Sequence, residues 1–161
     1  MMQVDPVSLE RTLKAFSKVN DNVRRQMNML FEHTTLELET KAKRRVAENG
    51  SVNTGLMRSS IHKKTSDLRA SVVVNAKYGS VVEYGRRPGK FPPVDAMRYW
   101  VKRKLRITGE REINAAAYMV GRKIARSGIP PRPFLFNTWD EMKPQFYRNL
   151  TNTLRKALFT R

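Results

Sequence analysis

One apolar stripe near the start of the chain sets the strictest limit on its fold. Asp5-Pro6 supplies a helix N-cap followed by proline at the first helical position, and Asn49-Gly50 is a typical helix end. We therefore predict a helix over residues 6–49, about 60 Å long at 1.5 Å per residue. The stripe recurs at spacings of three, four and seven, as one helix face does: Leu9, Leu13, Phe16, Val23, Met27 and Leu30.

Such a helix is longer than a domain of 161 residues usually needs. The stripe is interrupted at Asn20 and, after Leu30, reaches Thr34 before it continues through Leu38, Ala42 and Val46. Two interpretations stay open. The stripe packs into the core of its own subunit, or part of it forms a subunit interface. The excess length favours an interface for part of the helix.

The stretch 78–93, YGSVVEYGRRPGKFPP, is the segment around which the rest is organised. Two valines and a tyrosine at 81–84 predict a strand, which Gly79 and Gly85 bracket. A basic turn follows, stiffened by Pro88. Pro92 and Pro93 end any strand and favour the start of a helix. The stretch therefore predicts a strand, a charged loop and then a helix.

The remaining pattern predicts an α+β fold in which a small antiparallel sheet, within about 55–85, is flanked by helices. Valines predict a strand at 68–75, which we expect to pair with 81–84, and residues 61–64 are a candidate third strand. Helices are predicted over 94–106, 110–127 and 138–159, the last from a capping box at Thr138–Glu141. The three prolines of 129–136, IPPRPFLF, predict an extended segment. A single domain over 1–161 is expected from the length.

Composition restricts the class of protein. No apolar run approaches the roughly 20 residues of a membrane span, so we expect no membrane association. The first residues lack an apolar signal core, so we expect no secretion. The sequence has no cysteine, which excludes disulfides and thiolate metal sites.

The formal net charge of +18 is the strongest compositional signal. Such a charge attracts nucleic acid or acidic protein partners, and charge alone does not decide between them. Two clusters are candidate contacts to DNA or to a partner: Arg86, Arg87 and Lys90 in the loop, and Lys102, Arg103 and Lys104 at the predicted end of a helix.

The sequence offers no recognisable catalytic, cofactor or metal site. His33 and His62 lie in different predicted elements without neighbouring ligand patterns. The segment GRRPGK at 85–90 suggests a phosphate-binding loop, but it has three residues between its glycines and Phe91 where a Ser or Thr is required. We therefore expect no enzyme and no cofactor, and a nuclease or other phosphoryl-transfer enzyme is disfavoured because metal ligands are lacking.

Four motifs occur in a characteristic order: NTGLMRSSI at 53–61, the stretch 78–93 with its central EYG, Trp100-Val101, and IPPRPFL at 129–135. This series resembles the small neck or tail-completion proteins of long-tailed bacteriophages, the lambdoid head–tail joining family. The resemblance covers most of the chain after the first helix. Its motif residues are Thr54, Gly55, Leu56, Arg58, Ser60, Ile61, Tyr78, Glu83, Tyr84, Gly85, Pro92, Pro93, Trp100, Arg132, Pro133 and Phe134.

The resemblance implies a non-catalytic virion protein, made in the host bacterial cytoplasm, that forms a ring of identical subunits at the head–tail junction. A six-fold ring around the DNA passage is the natural expectation, with connector, tail-terminator or tail-tube proteins as neighbours. Alternate residues of an extended chain share a face, so Phe134 and Phe136 are expected to dock together, either in the same subunit or as inter-subunit contacts. The alternative function is a basic nucleic-acid-binding protein without catalysis.

Overall fold

The structure is a computed structural model that describes residues 6–50 and 55–159, with side chains at 20–50 and 55–158. Asp5 and Thr54 lie outside the described residues, as do the side chains of Leu9, Leu13 and Phe16. The elements in chain order are α1 Pro6–Glu48, α2 Leu56–Ser59, β1 Ile61–Ser66, β2 Arg69–Val74, α3 Gly79–Tyr84, α4 Val94–Lys104, α5 Glu110–Ser127 and α6 Leu135–Phe159.

The predicted α+β class is confirmed, with a long N-terminal helix, a two-stranded antiparallel sheet and a C-terminal helix. The strands β1 and β2 are joined by Asp67 and Leu68 alone, and Leu68 adopts a φ of 51°. Left-handed backbone is common in tight hairpin turns but rare for a bulky residue. The Leu68 N–H donates to Asn28 Oδ1 at 2.7 Å, so α1 holds the turn in place.

The extent of the sheet was predicted incorrectly. Residues 81–84 are helical in α3, and β2 pairs with β1, the segment that was only a candidate third strand. The buried positions of α3 are Gly79 and Glu83, four residues apart as on one helix face. The β preference of Val81 and Val82 is therefore overridden by the contacts of that face.

Contacts divide the described chain into two units. The first contains residues up to 40, residues 63–72 and residues from 139 on, and the second contains 41–50, 55–62 and 73–138. Several elements, among them α1 and the hairpin, contribute to both. The single domain stays a prediction.

In the first unit, α1 packs against the hairpin and α6. Phe146 of α6 lies 6.3 Å from Phe31 and 5.5 Å from Trp139, measured between ring centroids. The Lys63 N–H donates to Glu39 Oε2 at 2.7 Å, and the Lys63 ammonium pairs with Glu32 at 2.8 Å. The hydrogen bond from Lys63 lowers the pKa of Glu32. These contacts fix the first strand of the hairpin against α1.

The turn of the hairpin is anchored by an ion pair that predicts acid sensitivity. The hydrogen bond from Arg24 lowers the pKa of Asp67 from 3.8 to about 2. Because the folded-state pKa is depressed, the pair stabilises the fold above pH 3.8, and we expect this to be lost as the pH falls from 3.8 to about 2. NMR titration of the Asp67 carboxyl should show the low pKa. In an Arg24→Gln control the value should return toward 3.8, and a value near 3.8 in the unmodified protein would contradict the anchoring role.

In the second unit, the core has two parts. The first is formed at the end of α1 and the start of β1, where Val46, Met57 and Ile61 are buried. The second joins α4 to α5, where Val101, Ile113 and Ala117 form a buried cluster. The half-buried Trp100, one of the motif residues, packs against this cluster, so its indole belongs to the core.

Candidate functional site

The second and fourth motifs of the sequence meet in the second unit and form a clasp, which we define as residues 82–90 together with 128–136. Arg86 and Ile129 exchange two backbone hydrogen bonds, each 2.8 Å long, in an antiparallel bridge. The Arg132 N–H donates to the Val82 carbonyl, also at 2.8 Å. The clasp is therefore held by backbone contacts between residues more than 40 positions apart in the sequence.

Two glycines allow this close approach. Gly85 has a φ of 74°, and a Cβ added there would lie 2.6 Å from the Ile129 carbonyl oxygen. Gly128 has a φ of 71°, and its Cβ would lie 2.2 Å from the Arg86 carbonyl oxygen. Any other residue at either position would have to adopt an unfavourable left-handed backbone, and its Cβ would collide with the facing main chain. The glycine of the EYG motif is thus explained by backbone packing.

A buried carboxylate joins the two halves of the clasp. Glu83 is 7% exposed, and its Oε2 accepts hydrogen bonds from the N–H groups of Phe134 at 2.9 Å and Leu135 at 3.1 Å. Its Oε1 accepts from the Phe136 N–H at 2.7 Å. The carboxylate therefore satisfies N–H groups that have no partner within α6, and its charge suits the positive end of the helix.

The start of α6 was misplaced by the capping-box prediction. The helix begins at Leu135, and the Thr138 hydroxyl lies inside it, where it donates to the Phe134 carbonyl at 2.5 Å. The cap comes instead from Glu83, which is 52 residues before Leu135 in the chain. A local pattern does not reveal a cap of this kind.

Phe134 and Phe136 do not share a face, contrary to the prediction for an extended segment. Phe134 is 1% exposed within its own chain, whereas Phe136 is 57% exposed. The reason is that the extended segment ends at Phe134 and the helix geometry of α6 turns Phe136 away. The groove that receives Phe134 is therefore internal, and of these two side chains Phe136 is the one that is exposed to a partner.

The first motif has a structural role at the beginning of the second unit. Gly55, with a φ of 74°, precedes α2, and the Ser60 hydroxyl donates to the Met57 carbonyl at 2.8 Å. Leu56 and Arg58 are exposed. Arg132, from the fourth motif, donates from Nη1 to the Asn49 carbonyl just after α1, at 2.9 Å. The fourth motif is therefore joined to the end of α1 by a side-chain hydrogen bond.

The basic loop is ordered by its own contacts. The half-buried Arg86 donates to the Lys90 carbonyl at 2.6 Å, whereas the side chains of Arg87 and Lys90 are exposed. Arg86 thus maintains the loop, and the other two cations are available to a partner. Of the motif residues beside it, Pro92 is buried and Pro93 caps α4, while Tyr78 and Tyr84 are 44% and 72% exposed.

The second predicted cluster is exposed at the end of α4. Lys102, Arg103 and Lys104 all face solvent, and Arg103 Nη1 donates to the Tyr99 hydroxyl at 3.3 Å. A neighbouring cation, Arg98, pairs with Glu110 at 2.5 Å. The structure shows no contact between this cluster and the loop cations. Four further exposed cations on α5 were missed because they form no motif: Arg111, Arg122, Lys123 and Arg126.

Among the described residues, no group of three or more His, Cys, Asp or Glu side chains is arranged to hold a metal ion. His33 and His62 are exposed and lie on separate elements. In the same part of the chain, no helix is long and apolar enough to cross a membrane.

The comparison with protein families concerns the first half of the chain. Residues 9–85 match a bacteriophage tail-component family. Its description reads "Bacteriophage HK97-gp10, putative tail-component". The match runs through α1, the hairpin and α3 and ends at Gly85, so it includes the first motif and EYG. It confirms the phage resemblance that the motif order indicated. No curated protein and no solved structure matches the chain.

Proposed function

We propose that the protein is a non-enzymatic structural component of a phage neck, which forms a ring at the head–tail junction and completes the tail or joins it to the head connector. The observation that carries this proposal is the family match over residues 9–85. The clasp adds to it, because it joins the end of the matched region to the later motif at 129–135 that the resemblance also includes.

Ring formation requires two different surfaces on each subunit, one for each neighbour. Exposed aromatic side chains occur in the clasp at Phe136 and Tyr84. Exposed apolar side chains occur on α1 at Met29 and Leu36, 66% and 49% exposed. We propose Phe136 as an inter-subunit contact and six subunits as the ring number, by matching to a six-fold tail. Connector, tail-terminator or tail-tube proteins would lie above and below the ring. The virion is then the place of function, after synthesis in the host cytoplasm.

The absence of catalysis is part of the proposal. Glu83 is the buried acidic residue of the motif region, and both of its carboxylate oxygens already accept backbone hydrogen bonds. A carboxylate that accepts three backbone hydrogen bonds at a helix start serves as a helix cap.

The alternative function is a nucleic-acid-binding protein outside the virion. The charge favours it, because residues 41–62 and 73–138 contain 19 basic and five acidic residues, a net +14 of the total +18. The two functions predict different phenotypes when the gene is lost. A phage lacking the neck protein should accumulate filled heads and free tails, whereas loss of a free DNA-binding protein should leave joining intact.

The exposed cations of the loop, Arg87 and Lys90, give a testable prediction about the joining of heads to tails. The experiment uses a phage from which the gene for this protein has been deleted, and the protein is supplied separately. We expect the double variant Arg87→Glu/Lys90→Glu to give fewer joined particles than the unmodified protein. Both side chains are exposed, so the free energy of unfolding should change by less than about 0.5 kcal/mol per site. Particle counts by electron microscopy measure joining. The matched control is Lys143→Glu/Lys156→Glu on α6, which should join normally, and normal joining by the loop variant would contradict the proposal.

A further inference from the structure

Two groups of cations that are far apart in the sequence lie side by side in the second unit. The Gly89 N–H donates to the Ala125 carbonyl of α5 at 2.8 Å. Phe91, at the end of the same loop, stacks on Tyr118 of α5 with 5.8 Å between ring centroids. These contacts place the loop along α5, next to its exposed cations. We call the six exposed cations the loop–α5 surface: Arg87, Lys90, Arg111, Arg122, Lys123 and Arg126.

The three arginines of α5 lie opposite its buried face. Arg122 follows the buried Ile113 by nine residues, and Arg126 follows the buried Ala117 by nine. Nine residues are about 2.5 helical turns, so each arginine points away from the core. Arg111 precedes Arg122 by eleven residues, about three turns, and therefore lies on the same side.

The positive charge of this surface is not compensated. Residues 84–139 contain thirteen basic residues but only Asp95, Glu110 and Glu112 as acids, and Glu110 already pairs with Arg98. Within the described part of the chain, none of the six cations of the surface forms an ion pair. Between Glu112 and Asp140 the sequence has no acidic residue at all.

The loop of this surface is also closely packed. A Cβ at Gly121 would lie 2.3 Å from the ring of Phe91, so the absence of a side chain allows Phe91 to pack directly on α5. A Cβ at Gly128 would lie 3.1 Å from Pro88 Cδ, which shows how closely the other side of the loop is packed. Cations on such a support lose little backbone freedom when they bind a partner.

We propose that the loop–α5 surface binds the phosphate backbone of double-stranded DNA without reading its sequence. The distance along α5 from Arg111 to Arg126 is about 22 Å, which equals the rise of about six to seven base pairs. A protein-binding surface would be expected to have an apolar centre with few charges. Here the six exposed cations outnumber the exposed large hydrophobic side chains of α5, which are Tyr118 and Met119, 57% and 62% exposed. This inference rests on the proposed function in that a neck protein would meet DNA in its channel.

The test measures duplex binding by the purified full-length chain. A labelled duplex of mixed sequence is titrated at 50–200 mM salt, and anisotropy gives the affinity. Each phosphate contact contributes about −0.9 to the slope of log K against log salt, so six contacts would give a slope of about −5. Arg122→Gln/Arg126→Gln and Arg87→Gln/Lys90→Gln should each make the slope shallower by about 2 and weaken binding roughly ten-fold or more at 0.1 M salt. Thermal melting verifies that each variant is folded.

The matched control, Lys143→Gln/Lys156→Gln, removes the same charge from the first unit and should retain the affinity within about two-fold. Equal losses in the control and in the surface variants would overturn the proposal, as would the absence of duplex binding at 50 mM salt. Binding to poly-glutamate but not to the duplex would identify an acidic protein as the partner and would equally overturn it. Duplex binding is measured on the purified chain and does not depend on particle assembly. A protein that joins heads to tails but binds no duplex would therefore overturn this inference and leave the proposed function standing.

Discussion

Phe134→Ala should lower the free energy of unfolding of the isolated protein by about 3–5 kcal/mol, the usual loss for a buried phenylalanine. The side chain is 1% exposed and lies in a groove of its own chain. Its N–H is bound to Glu83 and its carbonyl accepts from Thr138, so the structure around it relaxes little when the ring is removed. Urea denaturation of the isolated chain measures the loss.

The matched control is Phe136→Ala, two residues along the chain. Phe136 is 57% exposed, so its removal should change the free energy of unfolding by no more than about 0.5 kcal/mol. If Phe136 contacts the next subunit, the same variant should nevertheless assemble poorly into particles. Similar unfolding curves for the two variants would contradict the internal position of Phe134.

Glu83→Ala should destabilise the isolated chain by about 3 kcal/mol, because three backbone N–H groups lose their acceptor in a buried site. Glu83→Gln should cost less, about 1–2 kcal/mol, since one amide oxygen remains as an acceptor. Hydrogen exchange at the Phe136 N–H should accelerate in both variants, and this local readout separates a lost cap from general destabilisation.

Glu48→Ala serves as the control for the Glu83 variants. Glu48 pairs with Arg44 in an exposed i,i+4 arrangement, and such pairs contribute about 0.3–0.5 kcal/mol. A loss for Glu83→Ala no larger than that of the control, with unchanged exchange at Phe136, would contradict the capping role.

The elements that were predicted well are those marked by a long periodic pattern of residues that are close together in the sequence. The periodicity from Val23 to Val46, with clear end signals, predicted α1 almost to its last residue. The segment 81–84 was different, because a short run of valines fits either a strand or a buried helix. Its conformation depends on Glu83 reaching the start of α6, a contact that is distant in the sequence.

The candidate site was predictable in its parts but not in its arrangement. Motif order indicated that residues 83–85 and 129–134 matter, and Arg87 and Lys90 are exposed as expected. No pattern indicated that Arg86 bridges to Ile129, because a single backbone bridge leaves no periodic trace. The cations of α5 were overlooked because their role depends on the loop that packs beside them.

The central claim is that this chain is part of the phage neck. Electron cryomicroscopy of purified virions with the subunit labelled at one terminus tests it most directly. The account predicts label in every tailed particle, as a ring between the head and the tail. Label along the tail, on the capsid surface, or missing from purified virions would contradict it.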